Sequence, residues 1–509
     1  DTDSDTGTDT DSDTGTDTGT DTDSDTDSDT GTDTGTDTDS DTGTDTDTGA
    51  EAFDTEVGNA HYKVDQFGYL PGEAKVAVIS QAQTGQFSPD SFTPGSTLEI
   101  RSWPSGDTMY TGSITTWNSG NTDPLNGDKG WWFDFSSVTT PGQYYVWDPT
   151  RSVRSHGFRI ADDVYNDAMV AAMRTYFYQR EGFAKEAPFA DPRWADGASH
   201  MNDLHARYVF DKTNASLERD VHGGWMDAGD YNKYVTFLDG TIHILLASFQ
   251  QRPQVWGDDH NIPESGNGIP DILDEIDFEL SWMIRMQDTD GGVFIKAGED
   301  TYNSASPPSS SDHARFYGLK CSSSTISLAS IFAHAALVFE DIPALAARAA
   351  VLEDRAEDAW DWYTGHSRSD ACDNGEIKSG DADRSLADQD KQAARAAAWL
   401  FALTGDAAYN TYFVNNYTDF DQISMSWWGN YRNEDEDAAL FYTSIPGAST
   451  TVANAIRTSK TNGTGDTSLY GWTANSHLYR AAMSTSSFHW GHNTVVGVTG
   501  NINTNLIAW

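Results

Sequence analysis

The sequence predicts a multidomain protein in which an all-β sandwich is followed by an all-α barrel of paired helices, both behind an extended tail. Three observations support this prediction. Residues 1–55 alternate Asp with Thr, Ser and Gly and contain almost nothing apolar. Residues 60–160 contain short runs of β-branched and aromatic residues separated by Pro-Gly turns, a pattern typical of a sandwich. Over residues 161–509, apolar residues recur at helical spacing, which indicates repeated helices.

The tail, residues 1–55, is predicted to be a disordered linker. Its first fifty residues hold eighteen Asp and no Lys or Arg, so the segment repels itself and has no apolar surface to bury. Alternating Asp side chains could hold Ca²⁺ loosely, but a solvated spacer is the preferred interpretation. A linker implies a further module in front of it, such as a carbohydrate-binding module. Because the chain begins without Met or a signal peptide, we expect it to be truncated at its N-terminus.

The charge of the chain argues against two classes of partner. The net charge is −48, and outside the first fifty residues the remaining 61 acids still exceed the 31 bases by 30. Such a surface repels nucleic acid and anionic membranes and favours a neutral ligand. No run of eighteen apolar residues is present, so no membrane span is predicted. The two cysteines, Cys321 and Cys372, are either two free thiols or one bridge, and the sequence leaves both open.

Short β-strands are predicted within residues 60–160. The clearest runs are Lys75–Ile79, Ser96–Arg101 and Gln143–Trp147, with turns at Pro71-Gly72, Pro94-Gly95 and Pro141-Gly142. No cluster of catalytic side chains is visible in this region. We therefore expect the sandwich to stabilise the helical region by packing on it.

Six helices are predicted from the spacing of apolar residues beyond residue 161. They are Asp162–Gln179, Tyr234–Gln250, Pro270–Met286, Thr325–Phe339, Pro343–Trp362 and Gln389–Leu403. Pro270 and Pro343 are expected at first helical positions, where the missing N–H costs nothing. Repeated helices joined by Gly- and aromatic-rich loops favour a barrel whose loops at one end form a site. About ten helices are expected before the chain stops.

One stretch, Val221–Val235, combines the residue types that act on sugars. Asp227 and Asp230 lie three residues apart, so both carboxylates fall on one side of a helical turn or of a tight loop. Glycines allow the backbone to approach a substrate, and the interleaved aromatic rings could stack on a sugar. The alternative is a helix N-terminus, with Asp227 as its cap and Asp230 in the first turn. The whole fifteen-residue context favours the site.

This stretch resembles the signature of glycoside hydrolase family 9, the cellulase family, usually written GGWYDAGDYxKY, with Met226 in place of its Tyr. The resemblance implies that Asp230 is the general base that activates water and that Asp227 helps to hold the same water. It implies an (α/α)6 barrel of twelve helices. Val64–Ile79 resembles the immunoglobulin-like module that precedes many such domains. Weaker matches are Tyr176–Gly182, Ser265–Glu275, Gly291–Lys296, Lys320–Ser330 and Phe488–Asn493.

The resemblance implies hydrolysis of β-1,4-glucosidic bonds in cellulose or a related β-glucan with inversion of configuration. Endo-action by a secreted, extracellular, monomeric bacterial enzyme is the preferred interpretation. An exo-acting cellobiohydrolase, another β-glycanase and a non-catalytic glycan-binding protein are the alternatives. Inversion needs an acid and a base separated by roughly 6.5–9.5 Å, so Asp227 and Asp230 together form only the base side. The family's acid, a Glu, is expected beyond Trp509, so we expect a barrel incomplete at its C-terminus and a segment inactive alone.

Other acids near the C-terminus are given a structural role. Glu434, Glu436 and Asp437 stand in a charged run and are predicted to form a solvated helix start. Four aromatic residues, Trp225, Tyr231, Trp428 and Trp490, are candidates for stacking on glucose rings, and Trp427 and Trp472 are weaker ones. Each of them could equally be a core residue.

The residues give little support to a metal site, and no cofactor is predicted to be required. Some relatives hold zinc after the first helix, but Phe189–His205 contains His200 and His205 without any Cys, so that site is not expected. Calcium in the family lies before an alanine-rich helix, where Asp388 and Asp390 stand here. Two carboxylates are few for an ion that takes 6–8 oxygens, so a structural calcium ion is an alternative to helix capping.

Overall fold

The structure is a computed structural model that describes residues 53–464, except 87, 89–90, 303–304, 379–380 and 430–431, together with residues 477–480 and 497. Almost all of the predicted linker lies outside the described residues. At its end, Asp54 is buried, and its carboxylate pairs with Arg154. Packing against the sandwich therefore begins by residue 54.

The first folded region is a sandwich of two antiparallel sheets. Its strands are β1 (Tyr62–Lys63), β2 (Val76–Ala82), β3 (Thr97–Ser102), β4 (Thr108–Ser113), β5 (Thr115–Thr116), β6 (Asp128–Asp134), β7 (Gly142–Asp148), β8 (Val153–Arg154) and β9 (Phe158–Ile160). One sheet has the order β1-β2-β6-β5, and the other has the order β4-β3-β7-β8, with β9 also pairing with β7. The predicted sandwich is confirmed, and its three predicted runs form β2, β3 and β7.

Alternating burial holds the two sheets together. In β3, Leu98 and Ile100 are fully buried while Glu99 between them is only half-buried. In β7, Tyr144 and Val146 point into the same core, where they meet Phe133 of β6. Residues two apart share one face of a strand, so this pattern fixes which face of each sheet is buried.

The second region is helical, as predicted. Its helices are α1 (Asn166–Gln179), α2 (Leu238–Gln251), α3 (Asp271–Met286), α4 (Ser322–Phe339), α5 (Ala346–Gly365), α6 (Leu386–Thr404), α7 (Ala407–Asn416), α8 (Asp421–Ser424), α9 (Asn433–Tyr442) and α10 (Thr450–Thr464). All six predicted helices are present with ends that differ by a few residues. The proline positions were wrong, because Pro270 caps α3 and Pro343 stands three residues before α5.

Helix α4 lies at the centre of this region and packs against α2, α5 and α6. All but one of its eighteen side chains are buried, including the polar ones near its N-terminus. Among the described residues, α4 is the one helix long and apolar enough to span a membrane, but 94% of that window is buried inside the protein. Its composition is that of a core helix of the barrel.

Short strands tie the loops together at the end of the helical region that carries the motif. They are β10 (Arg207–Tyr208), β11 (Lys233–Tyr234), β12 (Val293–Phe294), β13 (Lys296–Gly298), β14 (Phe316–Tyr317) and β15 (Lys320–Cys321). Four of them form a sheet of order β10-β14-β13-β11, and β12 pairs with β15. The last strand leads directly into α4, so these loops are anchored to the core helix.

Two further contacts connect distant parts of the chain. Cys321 and Cys372 form a disulfide, which settles the two alternatives that the sequence left open. Leu478 is fully buried against Val78 and Trp117 of the sandwich, and its backbone N–H donates to Asp123. A segment close to the C-terminus therefore packs on the sandwich, as expected for a stabilising domain.

Candidate active site

The motif forms a tight loop followed by a short strand. Helix α2 begins only at Leu238, so the helix-start alternative for Asp227 and Asp230 is wrong. The Asp227 N–H donates to the Asn232 carbonyl at 2.9 Å and closes a loop of six residues. Lys233 and Tyr234 then form β11, which pairs with β13. Both carboxylates are therefore held by a backbone bond across the loop and by the sheet behind it.

The start of the loop is fixed by its contacts with α3. Gly224 has φ of +80°, and a Cβ there would lie 2.7 Å from Trp282, so the close approach requires glycine. The next residue, Trp225, donates its backbone N–H to Glu279 at 2.5 Å and its indole N–H to Glu275 at 2.8 Å. Glu275 and Glu279 lie one turn apart on α3, so they hold Trp225 from one face of that helix.

The carboxylate of Asp230 is oriented by groups that follow it in the loop. The Tyr234 hydroxyl donates to Oδ2 of Asp230 at 2.7 Å, and the Asn232 N–H lies 3.5 Å from Oδ1. Asn232 is itself fixed, because it donates to the Lys378 carbonyl and accepts from the Glu299 N–H. A carboxylate held at one oxygen keeps lone pairs for a water molecule, as a general base requires.

Asp227 shares this environment but is more exposed. Partial desolvation, and then the neighbouring charge of Asp230, raise the pKa of Asp227 above its usual value. The six-residue loop closed by the Asp227–Asn232 backbone bond keeps both residues in the same turn of the chain. When two carboxylates lie close together, the charge of one makes the other hold a proton more readily than an isolated carboxylate does. This suits a pair that holds and activates one water molecule.

A cavity of about 300 Å³ opens beside the pair between α1 and α2. Tyr176, Trp225, Asp227, Tyr234 and Phe237 are among its lining residues. An aromatic wall with one carboxylate on it provides both apolar surface for a sugar ring and an acceptor for its hydroxyl groups.

The four residues predicted to stack on sugar rings differ in exposure and contacts. Trp225 lines the cavity but is only 5% exposed, so little of its ring is accessible for stacking. Tyr231 is half-buried and donates its hydroxyl to the Ala305 carbonyl at 2.6 Å. Trp428 is fully buried, and its indole N–H donates to Ser459; the structure places it in the core, so stacking on a sugar is corrected to a packing role. Trp490 lies outside the described residues, as does Trp472, while Trp427 is half-buried.

The prediction of a solvated helix start at Glu434, Glu436 and Asp437 was half wrong. These residues do begin a helix, α9, but Glu436 and Asp437 are 0% and 2% exposed. Lys460 pairs with Glu436, and burial raises the pKa of Asp437 well above its usual range. These acids are part of the core, because α9 packs against α2, α6 and α10.

The side chains at the two predicted metal positions are already engaged. Asp388 pairs with Arg432 at 2.7 Å, and Asp390 pairs with Arg368. Ser385, and not Asp388, caps α6: its hydroxyl accepts from the Asp388 N–H and donates to the Asp388 carboxylate, which lies in the first turn. The His205 side chain is 74% exposed and lies against Glu218, whereas His200 is buried against Glu181. These two histidines are therefore not brought together.

A different group of acids has the arrangement of a cation site. Asp258, Asp271 and Asp274 each offer an oxygen within 4.8 Å of the others. Oδ1 of Asp271 is buried without a hydrogen-bond partner. Burial raises the pKa of Asp274 to about 7, as expected for an acid without a countercharge. The sequence analysis missed this trio because it is assembled from a loop and the first turn of α3.

The other residues that the sequence analysis missed act behind the motif. Tyr234 was noted as an aromatic residue but not as the partner of Asp230, although it stands four positions later. The two Glu of α3 could have been found from their i, i+4 spacing on the side of the helix that also carries its apolar residues. Buried Arg315, whose side chain bonds to Glu181 and Asp203, had no local signal because its partners are more than a hundred residues away.

The fold and site together define a class. A sandwich followed by a helical barrel, with a Gly-rich loop that holds two carboxylates beside an aromatic cavity, is the arrangement of a glycoside hydrolase. The profile of glycosyl hydrolase family 9 matches residues 165–503, and that of the cellulase N-terminal Ig-like domain matches residues 59–150. The chain belongs to glycosyl hydrolase family 9.

Named relatives agree with this assignment. The chain is 29% identical over 322 residues to a xyloglucan-specific endo-β-1,4-glucanase of Bacteroides ovatus. The aligned residues cover 60% of this chain and 50% of that protein. It is 26% identical over 443 residues to Endoglucanase D of Acetivibrio thermocellus, covering 84% of this chain and 67% of the relative. A metagenome-derived family 9 endoglucanase structure aligns with a TM-score of 0.73 at 27% identity, covering 87% of this chain and 78% of that one. The chain thus spans between half and two-thirds of the length of these curated relatives.

Proposed function

We propose that this protein hydrolyses β-1,4-glucosidic bonds of a β-glucan with inversion of configuration, using Asp230 as the general base and Asp227 as its partner. The observation that supports this most is the pair itself. Asp230 is oriented by Tyr234, and Asp227 lines an aromatic cavity. The relatives whose names specify endoglucanases support the same bond type.

The mechanism follows from how the two acids are held. A water molecule bound between Asp227 and Asp230 loses its proton to Asp230 as it attacks the anomeric carbon. A separate acid, across the sugar ring, protonates the leaving oxygen. No residue among the described parts of the chain is given that role. Direct attack by water forms no glycosyl-enzyme intermediate, so the configuration inverts.

Endo-action is the preferred mode, and exo-action remains the alternative. The cavity beside Asp227 lies between α1 and α2 and is lined by residues of both helices. The names of both curated relatives described above specify endoglucanases. The glucan itself, cellulose or a branched relative, is the neutral polymer expected for a chain of this negative charge.

We also propose that the protein is secreted and acts as a monomer in an extracellular setting. The Cys321–Cys372 bridge supports this, because disulfides persist in oxidising compartments. An acidic, self-repelling surface favours a monomer.

No cofactor takes part in the proposed chemistry, but a structural calcium ion fits one place. Asp258, Asp271 and Asp274 supply hard oxygen ligands of the type that calcium prefers. Asp388, in contrast, is already neutralised by Arg432 and by nearby Lys391. The trio would crosslink the loop before α3 to its first turn and so stabilise the helix that holds Trp225.

The test of the function is the first product. The full-length protein is incubated with cellohexaose, and ¹H NMR follows the anomeric signals before mutarotation. We expect the α-anomer to appear first. Initial formation of the β-anomer would rule out inversion, and absence of cleavage on any β-1,4-glucan, with tight binding retained, would favour a glycan-binding protein instead.

A further inference from the structure

The region where the family's zinc would lie contains a buried cluster of charged side chains instead. We call Glu181, Asp203, Lys233, Glu299 and Arg315 the anchor cluster. Each of them is at most 2% exposed. They come from five separate segments: the end of α1, the loop before β10, β11, the end of β13 and the loop before β14.

These residues do not fit a zinc ion. Two imidazoles contact the cluster, His200 with Nδ1 3.0 Å from Glu181 and His313 with Nδ1 3.2 Å from Glu299, but both cysteines of the chain are joined in a disulfide and offer no thiolate ligand. Zinc sites use thiolate and imidazole ligands in a tetrahedral arrangement. Lys233 and Arg315 already supply the positive charge that the carboxylates need, and they would repel a cation.

Arg315 connects three segments with one planar group. Its guanidinium donates to Asp203 at 2.7 Å and to Glu181 at 2.9 Å. Its remaining Nη1 donates to the Tyr231 carbonyl at 2.8 Å. The acids therefore fix the guanidinium, and the guanidinium fixes the backbone of the residue that directly follows Asp230.

Lys233 fixes both ends of the same loop. Its ammonium donates to Asp203 at 2.7 Å and to the carbonyls of Val221 and Gly223 at 2.9 and 2.6 Å. All three of its hydrogen atoms have acceptors, so its charge is buried without an unsatisfied donor. The loop that carries Asp227 and Asp230 is thereby attached to Asp203 on both sides.

The loop needs such an anchor because one of its residues is strained. Tyr231 has φ of +53°, a left-handed conformation that a bulky residue adopts only when its surroundings enforce it. The hydrogen bond from Arg315 to the Tyr231 carbonyl is the contact that enforces this left-handed conformation. Without the Arg315 contact, the strained peptide after Asp230 would rotate and move the Asp230 carboxylate away from the Tyr234 hydroxyl.

We propose that the anchor cluster is a metal-free positioning device for the catalytic loop, with Arg315 as its central positioning residue. Ion pairs take the place of a structural metal, and their function is to hold Tyr231 in its left-handed conformation so that Asp230 faces its water. The inference rests on the proposed function for its catalytic part, but its structural part stands independently.

The test uses Arg315→Lys in the full chain, with Arg348→Lys as the matched control. A lysine keeps a positive charge for Glu181 and Asp203 but lacks the planar fork that also reaches Tyr231. Arg348 pairs with Asp277 between α3 and α5, away from the loop. Hydrogen exchange of the peptide that covers residues 226–235 is measured by mass spectrometry, together with the exchange of α3 and α4.

We expect Arg315→Lys to raise exchange in residues 226–235 at least about tenfold, with α4 unchanged, and Arg348→Lys to leave the loop unchanged. In turnover of a β-1,4-glucan by the full-length protein, kcat should fall by up to about 10²-fold, the scale of a misplaced catalytic group, with KM within about threefold. Zinc measured by plasma mass spectrometry should be well below one equivalent.

Three results would overturn the inference: stoichiometric zinc, unchanged exchange in the loop, or exchange that rises equally throughout the helices. If Arg315→Lys does not fold, Glu181→Gln is measured instead, because it keeps the shape and removes one partner of Arg315. Exchange does not depend on turnover. A wild-type protein that cleaves no glucan would therefore refute the proposed function and leave the positioning result intact.

Discussion

Two acidic segments of this chain contain the same residue types but differ in how far their carboxylates are buried. Asp227 and Asp230 lie in a loop at a cavity, and one of them is exposed. Asp435, Glu436 and Asp437 lie in the first turns of α9 and are at most 2% exposed. The loop places carboxylates where water and substrate can reach them, while the helix buries them against Arg395 and Lys460.

The difference shows that an acidic run is not a reliable sign of solvent. In the loop, a hydroxyl from Tyr234 orients one acid and leaves its remaining lone pairs free. In α9, cations from α6 and α10 neutralise the acids, because a buried charge needs a partner. Substitutions that remove the partner of each group of acids therefore test this comparison.

The largest effect on folding is expected when a buried acid loses its cation. Arg395 is 1% exposed and pairs with Asp239 and Asp435, so Arg395→Met would leave two buried carboxylates uncompensated. We expect a loss of about 3–5 kcal/mol in the free energy of unfolding, measured by urea denaturation. Arg193→Met, whose ion pair is on the surface, is the control and should show no measurable change. An equal loss in both variants would contradict the comparison.

A third group of acids should be stabilised by a cation from solution. Adding millimolar Ca²⁺ to metal-free protein should raise the melting temperature by several degrees, because an ion that binds the folded state alone stabilises it. Asp271→Asn should abolish the rise by removing one ligand from the trio. Asp390→Asn, at the position where the sequence analysis gave calcium as an alternative to helix capping, should leave it unchanged. The reverse pattern would return calcium to the helix α6 site.

Glu279 is a buried acid without a full countercharge, so it should make the stability of the folded protein depend on pH. Burial raises the pKa of Glu279 to about 8 from its usual 4.5. The folded protein therefore retains a proton that the unfolded chain releases, and stability falls as the pH rises from about 4.5 to 8. Glu279→Gln removes this titration and can still accept from the Trp225 N–H. Its melting temperature relative to wild type should increase over that range and level off above it; a constant difference would show that Glu279 is not protonated.

The smallest effect is expected for the acids of the tail. Deleting residues 1–52 should leave the melting temperature unchanged, because that segment has almost no apolar group to bury. Deleting residues 1–55 should lower it by a few degrees, because Asp54 then no longer pairs with buried Arg154. Calorimetry of both truncated proteins checks this. A large drop on removing residues 1–52 would mean that the tail packs on the folded region.

Sequence patterns predicted the elements well and the site partly. The six helices and three strands followed from apolar spacing, which is a local property, and the motif placed Asp227 and Asp230 correctly in one loop. Burial of Trp428 and of the α9 acids could not be predicted in this way, because it depends on Ser459, Lys460 and Arg395 in other helices. The role of Tyr234 was within reach, since a hydroxyl four residues after an acid in a strand-forming stretch can return to it.

The most direct test of the account is the turnover of two aspartate variants of the full-length protein on a soluble β-1,4-glucan. Asp230→Asn should lose at least about 10²-fold in turnover, the scale of general-base assistance, while binding of cellotetraose persists. Asp437→Asn should keep wild-type turnover, because Asp437 is buried within α9 and does not line the cavity beside Asp227. Full activity in Asp230→Asn, or its loss in Asp437→Asn, would contradict the assignment and move the base from the loop to α9.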